Sequence, residues 1–314
     1  MRFAKGHGTG NDFLILPDPD DAIAVSPDLV ARLCDRRTGL GADGILRAVR
    51  TPAAGEWFMD YRNADGSIAE MCGNGIRVFA RYLLDHGLAA GPEFAVATRA
   101  GLRQVREEPS GEITVDMGTP VVLGRSAAVI GSRTCEGLEV SLGNPHLACV
   151  VDLPVADFDL SAPPVIDRDR FPGGANVEVV RVTGDRHLDM RVYERGSGVT
   201  LSCGTGAVAA AVAAQAAGLQ HLADGRRRAG KAGRGPAGPA ATGPAGRAGT
   251  GPVGPAGSWS VQVPGGRLTV TLTEATSLLT GPAVIVAEGV LDEAWLSGSA
   301  DGATQLSVSR SSRS

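Results

Sequence analysis

Two of the chain's five cysteines stand in matching settings. Cys72 opens "CGNGIRVFARYL" and Cys203 opens "CGTGAVAAAVAAQ": in each a thiol is followed by Gly-x-Gly and then an apolar run that reads as a helix. A sulfur at a helix start faces the unsatisfied amides of the first turn and the positive end of the helix dipole, both of which favour thiolate. Glycines directly after it let those amides approach an anion such as a carboxylate. If two such corners face each other, a carbon held between them has a base on one side and an acid on the other. Inversion of a stereocentre needs that arrangement: one group takes a proton from one face while its counterpart delivers another to the opposite face. A nucleophilic protease calls for one Cys with a His partner, and a redox relay for C-x-x-C or a resolving Cys. Cys34, Cys135 and Cys149 have no comparable surroundings and are read as buried structural thiols.

The segments around the two corners suggest an internal duplication. Before each Cys, apolar and polar residues alternate as in a half-buried strand, at 57–61 and again at 188–193. After each Cys comes a helix, over Ile76–Leu84 with "DHG" as a stop, and over Ala207–Ala217 with Gly218 as a stop. The second helix has no polar face, so sheet is expected to wrap around it. Short alternating stretches dominate elsewhere, among them 112–118, 138–152 and a hairpin over 259–273 that turns at Pro264-Gly265-Gly266. Many short strands with one long helix per half predict two α+β lobes.

The chain has 314 residues, 43% hydrophobic and only 4% aromatic, with a formal net charge of −4. That is enough material for two moderate cores packed largely by Ala, Val and Leu. No stretch reaches the roughly 18 uninterrupted apolar residues of a membrane span, and no secretion signal is evident, so a cytoplasmic protein is expected. An odd cysteine count argues for reduced thiols, and no H-E-x-x-H occurs, so neither a disulfide framework nor a metal site is expected. Residues 225–257 are filled by Gly, Pro and Ala, with six basic side chains and no acidic ones; they are read as a disordered, solvated insertion, and 296–314 as a disordered tail. "GRRRAGKA" at 225–232 falls short of a phosphate loop because Ala232 stands where a Ser or Thr is required. "GTGAVA" at 204–209 matches a relaxed dinucleotide pattern, but no second parallel strand follows it.

Taken together, "KGHGTGNDFLIL" at 5–16, "GADGIL" at 41–46, "YRNADGSIAEMCGNGIRVFARYL" at 61–83, "SLGNPHLACVV" at 141–151, "GANVEVV" at 174–180 and "VYERGSGVTLSCGTGA" at 192–207 resemble the diaminopimelate epimerase family. The resemblance spans nearly everything but the insertion and the tail. It implies a pseudo-symmetric α+β fold, each lobe a mostly antiparallel curled sheet around a central helix. The first lobe would hold 1–118 with a returning strand in 281–295, and the second 119–280. It implies a cofactor-independent interconversion of LL- and meso-diaminopimelate for lysine and peptidoglycan precursors, with Cys72 as base toward the LL isomer and Cys203 as acid. Substrate contacts carry over to Asn11, Asn63, Gly73, Asn74, Asn144, Asn176, Glu194, Arg195, Gly204 and Thr205, and thiol tuning to His146 and Glu194. The expected partner is a small molecule, with no nucleic acid and no membrane, and the expected assembly a homodimer. Proline racemases share the fold but carry His where Asn74 stands, and a racemase for another amino acid or a non-catalytic amino-acid-binding module is the alternative. Gly44 stands where some members have Gln, and Val199 where many have Glu, which would remove polar support from the strand entering Cys203.

Overall fold

The structure, a computed structural model, describes residues 1–51, 57–231 and 257–297, with the backbone alone over 219–231. The remaining parts of the Gly/Pro/Ala insertion and of the tail lie outside the described residues. The elements of the first half are β1 (Arg2–Gly8), β2 (Asn11–Pro17), α1 (Pro27–Cys34), β3 (Gly44–Arg50), β4 (Trp57–Asn63), α2 (Gly73–Asp85), β5 (Glu93–Thr98), β6 (Gly101–Glu107) and β7 (Ile113–Gly118). Next come β8 (Val121–Ile130), β9 (Arg133–Ser141), β10 (Pro145–Val150), β11 (Val165–Ile166), β12 (Asn176–Gly184), β13 (His187–Glu194), β14 (Gly198–Thr200) and α3 (Gly204–Lys231). The chain closes with β15 (Gly257–Val263), β16 (Gly266–Leu272), β17 (Ser277–Gly281), β18 (Val284–Val290) and α4 (Glu293–Leu296).

The strands form two runs with the same pairing rule. The first reads β18, β1, β2, β3, β4, β5, β6, β7, and its neighbours are antiparallel except for β2–β3 and β4–β5. The second reads β8, β9, β10, β12, β13, β15, β16, β17, antiparallel except for β10–β12 and β13–β15. The parallel pairs fall at the same two places in each run. In the first they are the places where α1 and α2 carry the chain across, since a parallel neighbour needs a long crossover. The runs join edge to edge through the antiparallel pair β7–β17, which places Leu279 opposite Val115.

Each run surrounds one helix. α2 touches β1, β2, β3, β4, β7 and β18, while α3 touches β9, β10, β12, β13, β15, β16 and β17. Enclosure follows from the sequence: residues 207–214 of α3 are all Ala or Val and all buried, so every side of that helix needs apolar cover. α2 is nearly as enclosed, with Ile76, Val78, Phe79 and Leu83 buried. Its end is a glycine cap: Gly87 has φ +62° and the Leu88 amide returns to the Leu83 carbonyl at 2.8 Å. The largest core includes side chains from both helices, such as Phe79 and Val212. A separate cluster lies under α1, where Ser26 caps and Pro27 starts the helix, and buries Val30, Leu33 and Leu291.

Three local expectations change. Gly218 does not stop α3, which continues to Lys231 and so takes residues 225–231 of the expected insertion; each of Gly218, Gly225 and Gly230 costs only about 1 kcal/mol, and the Leu, Gln, Ala, Arg and Lys residues among them favour helix. Gly257, the last residue of that insertion, already belongs to β15. The hairpin turns at Pro264 and Gly265, with Gly266 paired to Val263 as the first residue of β16. Among the described residues no helix is long and apolar enough to cross a membrane.

Candidate active site

The two cysteine corners are built alike. Cys72 adopts extended backbone (φ −135°, ψ 122°) at the cap of α2, and its sulfur accepts from the Gly75 amide at 3.5 Å. At the start of α3 the Cys203 sulfur accepts from the Gly206 amide at 3.4 Å, with the Thr205 hydroxyl 3.5 Å away. Each sulfur thus fills the role that a Ser or Asp oxygen usually plays at a helix cap. The helix starts meet head to head: a Cβ on Gly73 would lie 3.2 Å from the Gly204 Cα, and one on Gly204 would lie 3.0 Å from the Gly73 Cα. Glycine at both positions is therefore a packing requirement as well as a chemical one.

A cavity of about 710 Å³ opens beside this junction. It is lined by Cys72, Gly73, Asn74, Cys203, Gly204 and Thr205 from the helix starts, Asn11 from β2, Asn63 from β4, Asn144 ahead of β10, Asn176 from β12, and Glu194 and Arg195 at the end of β13. Every residue picked out from sequence except His146 borders this one space. The amides at 73–74 and 204–205 belong to first turns, where no preceding helical carbonyl can take them.

The asparagines are held by their neighbours. The Tyr61 hydroxyl donates to Asn63 Oδ1 at 2.8 Å, and Asn63 Nδ2 donates to Ser67 Oγ at 3.0 Å, while its carbonyl accepts the Gly66 amide at 2.9 Å and closes a turn. Asn144 Nδ2 donates to Thr205 Oγ1 at 3.3 Å, and Asn176 Oδ1 accepts the Arg195 amide at 2.8 Å. Asn11 Oδ1 lies 3.7 Å from the Cys72 sulfur and 3.2 Å from Asn74 Nδ2. The Arg195 stem lies against Gly173 and Gly174. Among the described residues its guanidinium has no carboxylate within salt-bridge distance, which leaves it free for an anion in the cavity.

Burial dominates the titration of the site. It pushes the Cys72 thiol up to about 11; the Gly75 and Asn74 amides and the Arg77 guanidinium act against this, and the Glu194 carboxylate adds to it. Cys203 is raised well above the ordinary thiol value, first by burial and then by Glu194 and Glu178, against the Thr205 and Gly206 hydrogen bonds. The helix-start amides therefore act in the expected direction, but desolvation outweighs them. The smaller rise of Cys72 reflects the Arg77 cation on its side, where Cys203 has a second carboxylate, Glu178. Glu194 is raised by burial, opposed by hydrogen bonds from Thr200 and Cys203.

His146, expected to tune the thiols, does not line the cavity. It is fully buried behind the cavity wall, with Nδ1 2.7 Å from Glu178 Oε1 and Nε2 3.1 Å from Asn144 Oδ1, and it touches neither sulfur. Its reach toward Cys203 runs through Asn144 and then Thr205. Glu178, which the sequence reading passed over, is fully buried on β12 beside Gly206, where a Cβ would lie 2.8 Å from its Oε1. A lone acid inside the apolar "NVEVV" strand was the available signal. Of the two departures, Gly44 is enforced by packing, because a Cβ there would lie 2.5 Å from the Arg62 carbonyl. Val199 is 48% exposed and outside the cavity, and the neighbouring Thr200 hydroxyl donates to Glu194 instead.

Comparisons with known proteins show the family of the chain. The family model for diaminopimelate epimerase matches residues 3–123 and 139–231. The diaminopimelate epimerase of Thermobifida fusca is 52% identical over 302 residues, covering 92% of this chain and 97% of that one. The diaminopimelate epimerase of Mycolicibacterium smegmatis is 46% identical over 319 residues, covering 94% and 98%. Among solved structures, a PhzF-family phenazine biosynthesis protein from Bacillus anthracis superposes with a TM-score of 0.58 at 15% identity, covering 93% of this chain and 99% of that one. A hydroxyproline epimerase from Agrobacterium vitis, solved with bound trans-4-hydroxy-L-proline, gives 0.56 at 13%, covering 92% and 91%. The fold is thus the α+β fold of these structures, and the chain belongs to the diaminopimelate epimerase family.

Proposed function

We propose that this chain interconverts LL- and meso-diaminopimelate without a cofactor, Cys72 and Cys203 exchanging the roles of base and acid between the two directions. One observation carries the reading: two cysteine-capped helices abut at Gly73 and Gly204, and both thiols border one cavity. The substrate's α-carbon lies between the sulfurs. Its α-carboxylate takes the first-turn amides at 73–74 and 204–205, which also stabilise the charge that grows as the proton leaves. Asn11, Asn63, Asn144 and Asn176 donate and accept together, so they bind a zwitterionic amino acid without adding net charge. Arg195 grips the distal carboxylate and rejects analogues lacking it. Glu194, hydrogen-bonded to Cys203, holds that sulfur in its proton-bearing form, while His146 and Glu178 hold Asn144.

The same reading takes 1–118 with 281–295 as one lobe and 119–280 as the other, with the cavity at their junction. The protein works as a homodimer in the cytoplasm, where five unpaired thiols stay reduced. The test is purified protein with LL-diaminopimelate in deuterium oxide under reducing conditions. The α-proton signal should disappear as the meso isomer forms, and Cys72→Ser and Cys203→Ser should each lower the rate by at least about a hundredfold. Cys34→Ser, Cys135→Ser and Cys149→Ser should leave it near wild type. Exchange on proline or hydroxyproline but not on diaminopimelate would replace the substrate, and binding with no exchange at all would replace the enzyme by a binding module.

A further inference from the structure

Arg77, on the second turn of α2, is fully buried and does not border the cavity. All four of its hydrogen-bond partners are neutral. Nη1 donates to the Gly73 carbonyl at 3.2 Å, Nη2 to Asn74 Oδ1 at 3.1 Å and to Thr9 Oγ1 at 3.2 Å, and Nε to the Pro282 carbonyl at 3.5 Å. No carboxylate of the described residues lies within ion-pair distance of it. Burying a cation this way costs several kcal/mol that an apolar side chain of the same size would avoid. The backbone makes room for it: a Cβ on Gly8 would lie 3.1 Å from Nη2, and one on Gly281 would lie 3.5 Å from the guanidinium carbon.

The bonds around Arg77 close a ring that crosses from one half of the chain to the other. Thr9 Oγ1 donates to Ser202 Oγ at 2.7 Å, Ser202 Oγ donates to Asn74 Oδ1 at 3.4 Å, and Asn74 Nδ2 donates to the Ser202 carbonyl at 2.9 Å. Ser202 is the residue before Cys203, and Asn74 is two after Cys72. All four members are at most 1% exposed. Thr9 supplies an independent sign of constraint. It is β-branched yet sits at φ +51°, a left-handed conformation that such a residue keeps only where the surroundings impose it.

We propose that Arg77 is a positioning residue of the reaction, a buried counter-charge to the Cys72 thiolate and the hub of the Thr9–Ser202–Asn74 ring that fixes the two cysteine corners at one separation. The proposal rests on the epimerase reading of the cavity. Burial raises Cys72 most and Glu194 from β13 adds to the rise, while the Gly75 and Asn74 amides and Arg77 on its own helix oppose it; Tyr61 from β4 and Cys203 at the start of α3 border the same cavity. Cys72 and Glu112 are the acids acting on Arg77 in turn. Burial lowers the guanidinium to about 10, so it remains charged at neutral pH.

The experiment compares Arg77→Met and Arg77→Lys with the wild type. The first readout is kcat and KM for diaminopimelate. The second is the pH profile of Cys72 carbamidomethylation, followed by peptide mass with Cys203→Ala in the background so that no substrate is needed. In Arg77→Met, kcat should fall at least about tenfold with KM within about twofold, and the alkylation midpoint should rise by about one unit or more. Arg77→Lys should return the midpoint to wild type and kcat only in part, since it restores the charge but not the fork. Either readout staying at its wild-type value in Arg77→Met overturns the proposal. If Arg77→Met gives no soluble protein, Thr9→Ala decides: a folded variant with kcat down about tenfold supports the ring, and wild-type kcat overturns it. Loss of the parent reading shows separately, as epimerase activity surviving in Cys72→Ser.

Discussion

The two sulfurs share one kind of cap but not one electrostatic setting. Glu194 raises both, but Cys72 has the Arg77 cation to oppose it, whereas Cys203 has a second carboxylate, Glu178, to add to it. Both thiols are raised, and these charges leave Cys72 the more readily ionised of the two. All five thiols are raised by burial, with Cys72 pushed up to about 11 and Cys34 to about 12. Above the ordinary thiol range, about pH 8.5, the unfolded chain has released protons that the fold still holds, so stability falls as pH rises. The contribution is complete below that value and is lost through 11 for Cys72 and 12 for Cys34. Guanidinium midpoints measured from pH 8 to 11 should decline, and Cys34→Ala should decline less steeply; equal slopes would remove Cys34 from the account. The residues that line the cavity were legible because their motifs carry both type and spacing. Arg77, Glu178 and the true neighbours of His146 were not, because one strand or helix does not reveal which charged side chain another half of the chain will enclose.

The α2 and α3 starts are at once a wall of the cavity and a joint between the two runs of strands. Gly73 and Gly204 let the two backbones touch, and Leu279 from β17 packs beside both. A methyl at 204 has no free space: its Cβ would sit 2.9 Å from Leu279 Cδ2 and 3.0 Å from the Gly73 Cα. Gly204→Ala should therefore push the corners apart by a fraction of an ångström and lower kcat at least about tenfold, with far less effect on the urea midpoint. Steady-state kinetics alongside urea unfolding checks this, and wild-type kcat would show that the contact is incidental. The apolar periodicity of 207–217 foretold an enclosed helix, and enclosure is what the strands provide. Its C-terminal limit was misread because Gly218 is only a weak breaker when helix formers follow it.

At the scale of the molecule, the repeated pairing rule of the two runs and the β7–β17 seam make one continuous sheet from two similar halves. The sequence showed the duplication through its cysteine corners, but not the parallel pairs, since alternation alone does not say which strand lies beside which. Trp57 in the first run and Trp259 in the second are both buried, so each can report on its own half. Single-tryptophan proteins made with Phe at the other tryptophan positions should give the same denaturant midpoint, because the seam and the abutting helix starts tie the halves together. Midpoints that separate would show that each run unfolds alone. The pairing of β18 with β1 has a consequence for synthesis. Every strand from β8 to β17 is translated before the N-terminal strand meets its outer neighbour. On the ribosome the inner portion of the chain can therefore close while the N-terminal strand still waits for Val284–Val290 to emerge and cover its outer edge.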